Sequence, residues 1–258
     1  LKPTGSMPAM TEETADERMN RLSKDRYERP LPKRFYKIVT ISDDNAILLD
    51  GRAVKTPMKA PFVLPNRAIA ELVAAEWEAQ VGVINPGAMP VTKYANTAID
   101  RAVTERESVL GDFAEYAGSD LVCYRADRPP QLVQQQALHW DPVLEDARQV
   151  FGANFKTAKG IVHIKQDAAA ISAVRAVAAA LDPLHLTILY NLTTLTGSAL
   201  LSLMLVAGRV SAEQGWAAAH VDEDYQISQW GTDHEAMARR AGRRLDFDAL
   251  MQLVNLLR

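Results

Sequence analysis

The densest acidic cluster in the sequence consists of three consecutive carboxylates, Asp222, Glu223 and Asp224. Carboxylates are suitable ligands for a divalent cation, and a bound cation could activate water as in a metal-dependent hydrolase. Successive residues of a helix, however, point about 100° apart, so neighbouring carboxylates do not converge on one ion. A hydrolase that uses these three carboxylates is therefore the alternative function and not the preferred one.

The residues around Glu223 follow a helical spacing that brings one acid together with apolar and aromatic side chains. The positions are Trp216, His220, Glu223, Ile227 and Trp230. A carboxylate on such a face is unfavourable unless it is paired. Three roles are open: an internal ion pair with an arginine, an anion that recognises a partner's arginine beside tryptophan, and a general base. No partnered nucleophile is visible nearby, and of the first two roles we favour recognition.

Other residues that often carry chemistry show no catalytic pattern. The histidines form no HExxH pair, and neither GxSxG nor GxGxxG occurs. Cys123, the single cysteine of the sequence, leaves no internal disulfide and no cysteine cluster for zinc. Residues 51–56 end in Lys-Thr like a phosphate-binding loop but lack the second glycine before the lysine, so a hairpin and strand are predicted. We expect no enzyme activity, no cofactor and no metal.

Four arginines near the end of the sequence form a basic stripe at helical spacing, at positions Arg239, Arg240, Arg243 and Arg244. They motivate a third hypothesis, a nucleic-acid adaptor. The net charge of −3 gives no overall basic field, however, and a solvated helix face with intrahelical ion pairs is the preferred interpretation. The composition, 48% hydrophobic and 24% charged, is ordinary for a soluble globular protein.

The segment between Asp182 and Arg209 contains no Asp, Glu, Lys or Arg, and we expect the other elements to pack around it. Asp182 followed by Pro183 predicts a helix start. A segment of roughly 20 apolar residues could also span a bilayer. Small polar side chains nevertheless recur along one helical face, at Thr187, Asn191, Thr194, Ser198 and Ser202. We therefore predict a buried core helix that Gly197 kinks or splits.

Strand patterns precede helix patterns along the chain, which predicts an α+β fold. Its parts are a flexible arm at 1–32, a small N-terminal antiparallel β-rich domain at 33–90 and a larger C-terminal helical domain at 91–258. The sheet is predicted from runs at 35–41, 46–49 and 52–56, joined by the hairpin signal Asp50-Gly51, with a short fourth strand at 62–64. An isolated strand at 161–165 could return to this sheet.

The predicted helices lie at about 66–80, 92–116, 130–151 and 168–181, in addition to the central segment. Ser211 and Gln214 form a capping box that begins a helix reaching Trp230. A second capping box at 232–235 begins another helix, and the last helix is predicted to start at Asp246.

Seven of these stretches also resemble, in unbroken order over about residues 33–245, one family of proteins. They are RFYK at 34–37, LLDGRAVKTP at 48–57, AAEWEAQ at 74–80, NTAID at 96–100, DLVCYRA at 120–126, LTTLTGS at 192–198 and VDEDYQISQWG at 221–231. The family is the "ATP-twelve" group of assembly chaperones of F-type ATP synthase.

This resemblance implies a non-enzymatic chaperone that binds the free α subunit of the catalytic sector and keeps it soluble until it joins β. It also implies a β-rich N-terminal and a helical C-terminal domain, and an important acid within the motif that residues 222–224 match here. The expected partner-binding residues are Trp216, Asp222, Glu223, Asp224, Ile227 and Trp230. We expect a monomer in the bacterial cytoplasm, or in the mitochondrial matrix if the source is eukaryotic.

Overall fold

The computed structural model of the chain describes residues 30–101, 104–160 and 162–258. Most of the predicted arm, residues 1–29, lies outside this part of the chain. The described residues have an α+β fold, in which a small antiparallel sheet precedes a larger helical region. The predicted fold class is confirmed.

Residues 30–35 and 80–85 form a small compact unit of their own. They run antiparallel to each other, and the backbone N–H of Arg34 donates to the carbonyl of Gly82 at 2.9 Å. The larger unit comprises Tyr36–Ala79 and Pro86–Arg258. The domain boundary expected at residue 90 stays a prediction.

The N-terminal sheet has three short strands in the order β1-β2-β3, all antiparallel. They are β1, Val39–Ile41, β2, Ile47–Leu49, and β3, Arg52–Ala53. Val39 lies opposite Leu49. Asp50 and Gly51 connect β2 to β3 with φ angles of 49° and 79°, a left-handed conformation that glycine and aspartate tolerate in tight hairpins. The hairpin predicted from the sequence is therefore present.

The predicted fourth strand at 62–64 is not a regular strand. It is represented by two isolated bridges, one between Ala46 and Val63 and one between Lys55 and Pro61. Pro61 has no backbone N–H to donate, so a continuous ladder cannot form through it.

The strand predicted at 161–165 is wrong for residues 162–165, and residue 161 lies outside the described part of the chain. A two-residue strand lies just before this segment. β5, Ala158–Lys159, runs parallel to β4, Tyr124–Arg125, in a separate two-stranded sheet. Gly160, with a φ of 71°, turns the chain directly after β5, which ends the strand. Residues 162–165 have no regular secondary structure.

Ten α-helices lie within the described residues. They are α1, Arg67–Glu78, α2, Pro90–Asp100, α3, Arg106–Gly118, α4, Pro130–Phe151, α5, Ala168–Ala179, α6, Pro183–Thr196, α7, Ala199–Val206, α8, Ala212–Ala219, α9, Val221–Trp230, and α10, His234–Leu257. Short 3₁₀ turns occupy Pro86–Ala88 and Leu121–Cys123.

The central segment is a pair of buried helices, α6 and α7, which confirms the predicted split at Gly197. Asp182 caps α6 by accepting from the N–H groups of Leu184 and His185. Gly197 has a φ of 71°, and the Ser198 hydroxyl accepts from the N–H of Leu201 to start α7. No helix of the described residues has the length and apolar character needed to span a membrane.

Three predicted helix boundaries were wrong. The helix expected at 92–116 is two helices, α2 and α3, and the one expected at 211–230 is divided at His220 into α8 and α9. The two helices expected after residue 232 are one, α10, capped by Asp233. The polar first half of α10 has no apolar periodicity. It is supported instead by acid–arginine pairs such as Arg239 with Glu235 at 3.0 Å.

The Asp120 carboxylate joins two elements of the helical region from a fully buried position. One oxygen accepts from the N–H of Val122 at 3.1 Å and the other from the N–H of Leu200, at the start of α7, at 3.0 Å. Burial raises the pKa of Asp120 to about 6, although hydrogen bonds from Ser198 and from backbone N–H groups act in the opposite direction.

We expect Asp120→Asn to destabilise the fold by roughly 1–3 kcal/mol, because an amide NH₂ would face one of two buried N–H donors. The folded-state pKa of Asp120 lies above the unfolded value of about 3.9. Between about pH 4 and about pH 6 the folded wild-type chain therefore holds one proton more than the unfolded chain. Binding of this proton stabilises the folded state at low pH, and that stabilisation is lost as the pH rises through this window.

Chemical denaturation across this pH range measures the effect, with Asp127→Asn, at an exposed position, as the control. The stability difference between the wild-type chain and Asp120→Asn should shrink as the pH rises. A difference that stays constant would contradict the assigned protonation.

Candidate functional site

The three predicted carboxylates lie in the first turn of α9. We use the term C-terminal hairpin for α9, the turn at 231–233 and the first half of α10. The position suits Asp222, Glu223 and Asp224, because the N-terminus of a helix carries partial positive charge. Gly231, with a φ of 81°, ends α9. Asp233 then starts α10 by accepting from the N–H groups of residues 235 and 236.

Each carboxylate binds a different side chain. Gln136 of α4 donates to Asp222 at 2.7 Å, Arg243 donates to Glu223 at 2.7 Å, and Arg240 lies 2.5 Å from Asp224. The described residues contain no group of three or more His, Cys, Asp or Glu side chains that could hold a metal ion.

Glu223 forms an internal ion pair with Arg243, which was one of the three roles left open by the sequence analysis. Both side chains of the pair are partly exposed to solvent. The Glu223 side chain is 31% exposed and that of Arg243 is 42% exposed. The nearest nitrogen of His220 lies 3.8 Å away and that of Arg240 lies 4.0 Å away. Such an accessible pair contributes little to stability, typically up to about 1 kcal/mol.

The four arginines of α10 all have acidic partners. Arg239 pairs with Glu235 and Arg244 with Asp248 within the helix, as predicted for a solvated face. Arg240 and Arg243 instead pair with α9, and Arg244 also reaches Glu213 of α8. Because these charges are neutralised locally, they do not form the free basic stripe that a nucleic-acid adaptor would need.

The two tryptophans of the predicted stripe occupy different environments. Trp216 is half-buried, with its ring centroid 3.9 Å from that of His220 and 5.3 Å from that of Phe247. Trp230 is 77% exposed. The stripe is divided because the helix breaks at His220, whose ring nitrogen Nδ1 lies 2.8 Å from the Trp216 carbonyl oxygen.

His220 is a buried, neutral neighbour of the ion pairs. Burial lowers the pKa of His220, and the charges of Arg240 and Arg243 lower it further, whereas the hydrogen bond to Trp216 and the charge of Glu223 act against this. The imidazole is therefore uncharged at neutral pH. It packs against Trp216 and lies near Glu223 without contributing a positive charge.

A cleft of about 310 Å³ opens on the exposed side of the C-terminal hairpin. Its lining includes Glu223, Ile227, Trp230, Met237 and Arg240. We call Ile227, Trp230 and Met237 the tryptophan surface. Met237 is 54% exposed and was missed from the sequence. The helix start predicted at 232–235 could have identified it, because a helix that begins there has Met237 near its N-terminus, close to the end of α9. The N-cap is Asp233, and the predicted capping box is not formed.

The comparisons with known proteins agree on one family. A family model described as ATP12 chaperone protein matches residues 33–148. The solved structure of a putative chaperone from Agrobacterium tumefaciens is similar with a TM-score of 0.82 and 42% identity, covering 92% of this chain and 90% of that one. Atp12 from Paracoccus denitrificans is similar with a TM-score of 0.80 and 37% identity, covering 88% and 99%.

A further relative is mitochondrial protein atp12 from Schizosaccharomyces pombe, 23% identical over 226 residues, or 80% of this chain and 78% of that protein. The match to the two bacterial structures covers almost their full length. The sequence identities are high enough to indicate a shared family and not only a shared fold. The chain belongs to the ATP12 family of chaperone proteins.

Proposed function

We propose that this ATP synthase assembly chaperone binds the free α subunit of the F-type enzyme through the tryptophan surface and the adjoining carboxylates of α9. The observation that carries the proposal is the exposure of Trp230 at the edge of a cleft. The choice of the α subunit follows from the motifs that resemble the chaperone family. The geometry supports a protein partner, since Trp230 and Met237 are exposed beside one cleft.

The tryptophan surface has the composition of an interface centre. Single exposed apolar side chains are common on proteins, but here Trp230 adjoins Ile227 and the exposed Met237 around one cleft. Tryptophan buries a large area at low entropic cost, and methionine adapts to irregular surfaces. Binding energy at interfaces is concentrated in a few such residues.

The ion pairs beside this surface support a reversible complex. Glu223 and Asp224 are neutralised within the chaperone before it binds, and both pairs are accessible to solvent. An arginine of the client can take the place of Arg243 or Arg240 with little net change in the number of ion pairs. An assembly chaperone has to release its client, so moderate affinity with good specificity suits this role.

The remaining expected residues have supporting positions. Asp222 accepts from Gln136, which holds the start of α9 against α4. Trp216 lies beneath the ion pairs, with the guanidinium carbons of Arg244 and Arg240 at 5.2 and 5.9 Å from its ring centroid. We propose that both residues position the binding surface and that Glu223, Asp224, Ile227 and Trp230 contact the client.

Trp230→Ala should weaken binding of the isolated α subunit by at least about 2 kcal/mol, or roughly thirtyfold in Kd, as expected for a central tryptophan. The melting temperature should stay close to that of the wild-type chain, because the side chain is mostly in water. Titration of the α subunit and thermal melts measure the two quantities. Leu138→Ala, at a position 66% exposed on α4, is the control for general loss of exposed apolar surface. Unchanged affinity of Trp230→Ala would contradict the proposal.

Glu223→Gln separates recognition from internal pairing. We expect it to reduce the free energy of unfolding by less than about 1 kcal/mol, because its pair with Arg243 is accessible to water. If Glu223 recognises the client, the same change should weaken binding by about 2–5 kcal/mol. Asp222→Asn and Asp224→Asn should have smaller effects on binding. The idea fails if Glu223→Gln lowers the melting temperature and leaves the affinity for the α subunit as it was.

A further inference from the structure

A second, larger cleft of about 520 Å³ lies on the other side of α9, between this helix and the first half of α4. We call it the amide cleft. One wall carries Gln131, Gln135 and His139, and the other carries Asp224, Tyr225 and Ser228. Val221 and Ala217 also line it. The walls are therefore polar side chains, with small apolar groups between them.

The first wall presents an ordered row of hydrogen-bonding groups. Gln131, Gln135 and His139 follow each other by one helical turn, so the row is about 12 Å long at 1.5 Å per residue. Within the described part of the chain, the side chains of Gln131 and Gln135 have no hydrogen-bonding partner. Each glutamine amide offers both a donor and an acceptor, the same pair of groups that a peptide unit offers in return.

The charge of the amide cleft excludes several classes of ligand. No lysine or arginine is among the described residues that line it, so it has no cation with which to hold a phosphate or another anion. Its acid, Asp224, is already paired with Arg240. Tyr225, Val221 and Ala217 supply apolar surface between the polar side chains, so the lining is mixed and not predominantly apolar as in sites for lipids and other hydrophobic ligands. A neutral ligand with alternating donors and acceptors matches the walls.

We propose that the amide cleft binds an extended segment of the client polypeptide through its main-chain N–H and C=O groups. This inference rests on the proposed function, since it names what the chaperone recognises besides side chains. At about 3.3 Å per residue, a 12 Å row accommodates three to four extended residues. Main-chain groups that lack a partner bind such a row whatever their side chains.

One ion pair links the amide cleft to the surface proposed for the α subunit. Asp224 lines the amide cleft, and its partner Arg240 lines the cleft beside Trp230. A client segment can therefore pass along one side of α9 while an anchoring side chain packs against Trp230 on the other side. The main-chain contact in the amide cleft is independent of the client's sequence, whereas the contact with Trp230 selects for particular side chains.

The test uses overlapping peptides of the α subunit sequence, with fluorescence anisotropy to find one that binds the full chain. We expect methylation of its backbone nitrogens to weaken binding by about tenfold or more, whereas alanine replacement of single side chains, other than one that packs against Trp230, has effects below about threefold. Gln135→Ala should weaken binding of the peptide and of the whole α subunit by about three- to tenfold, the loss of one or two hydrogen bonds. Gln134→Ala, an exposed glutamine of the same helix outside the cleft, is the matched control.

The outcomes distinguish this inference from the proposed function. If the whole α subunit binds and responds to Trp230→Ala, but neither N-methylation nor Gln135→Ala changes binding, the amide cleft is not a main-chain site and only this inference fails. The inference is also overturned if peptide binding depends on side chains alone. It is likewise overturned if the cleft binds a neutral oligosaccharide and no peptide. If the wild-type chain does not bind the α subunit at all, the proposed function itself fails.

Discussion

Helix α7 must be enclosed on every side, and this requirement determines where the other helices lie. Of its eight residues, all from Ala199 to Leu205 are buried. Helices α3, α4, α6, α8 and α10 contact it. On α8, the approach is so close that a Cβ on Gly215 would stand 2.5 Å from Cδ2 of Leu205. A helix of this composition is stable only in such a core, because its burial supplies the driving force that its short length cannot.

The C-terminal hairpin obtains its position from this core through α4. Trp140 of α4 is fully buried, and its indole N–H donates to the carbonyl oxygen of Ala218 in α8 at 2.7 Å. One turn earlier on the same helix, Gln136 holds Asp222. Thus α4 connects the packed interior around α7 to the start of α9. Gln136 ties the start of α9 to α4, and the ion pairs of Asp224 with Arg240 and of Glu223 with Arg243 tie it to α10.

The features that could be predicted from the sequence are those specified by local chemistry. Asp50-Gly51 formed the hairpin, Gly197 divided the central segment, and Ser211 formed the capping box with Gln214. The break at His220 could not be predicted, because no glycine or proline marks it. It depends on the packing of Trp216 against His220 and Phe247, which brings together parts of the chain far apart in sequence. For the same reason the periodicity around Glu223 placed Trp216 and Trp230 on one face, although Trp216 is half-buried against other side chains and Trp230 is exposed.

The continuity of α10 was also invisible to pattern analysis, since its first half is held by charge pairs to α8 and α9 and not by an apolar face. The feature with the widest consequence is that α9 buries only one of its ten residues, Val221. Apart from Asp222, whose hydrogen bond to Gln136 ties α9 to α4, substitutions at the exposed positions of α9 should change the free energy of unfolding only slightly. A defect that arises at these positions would therefore appear in the work of the chaperone and not in its melting temperature.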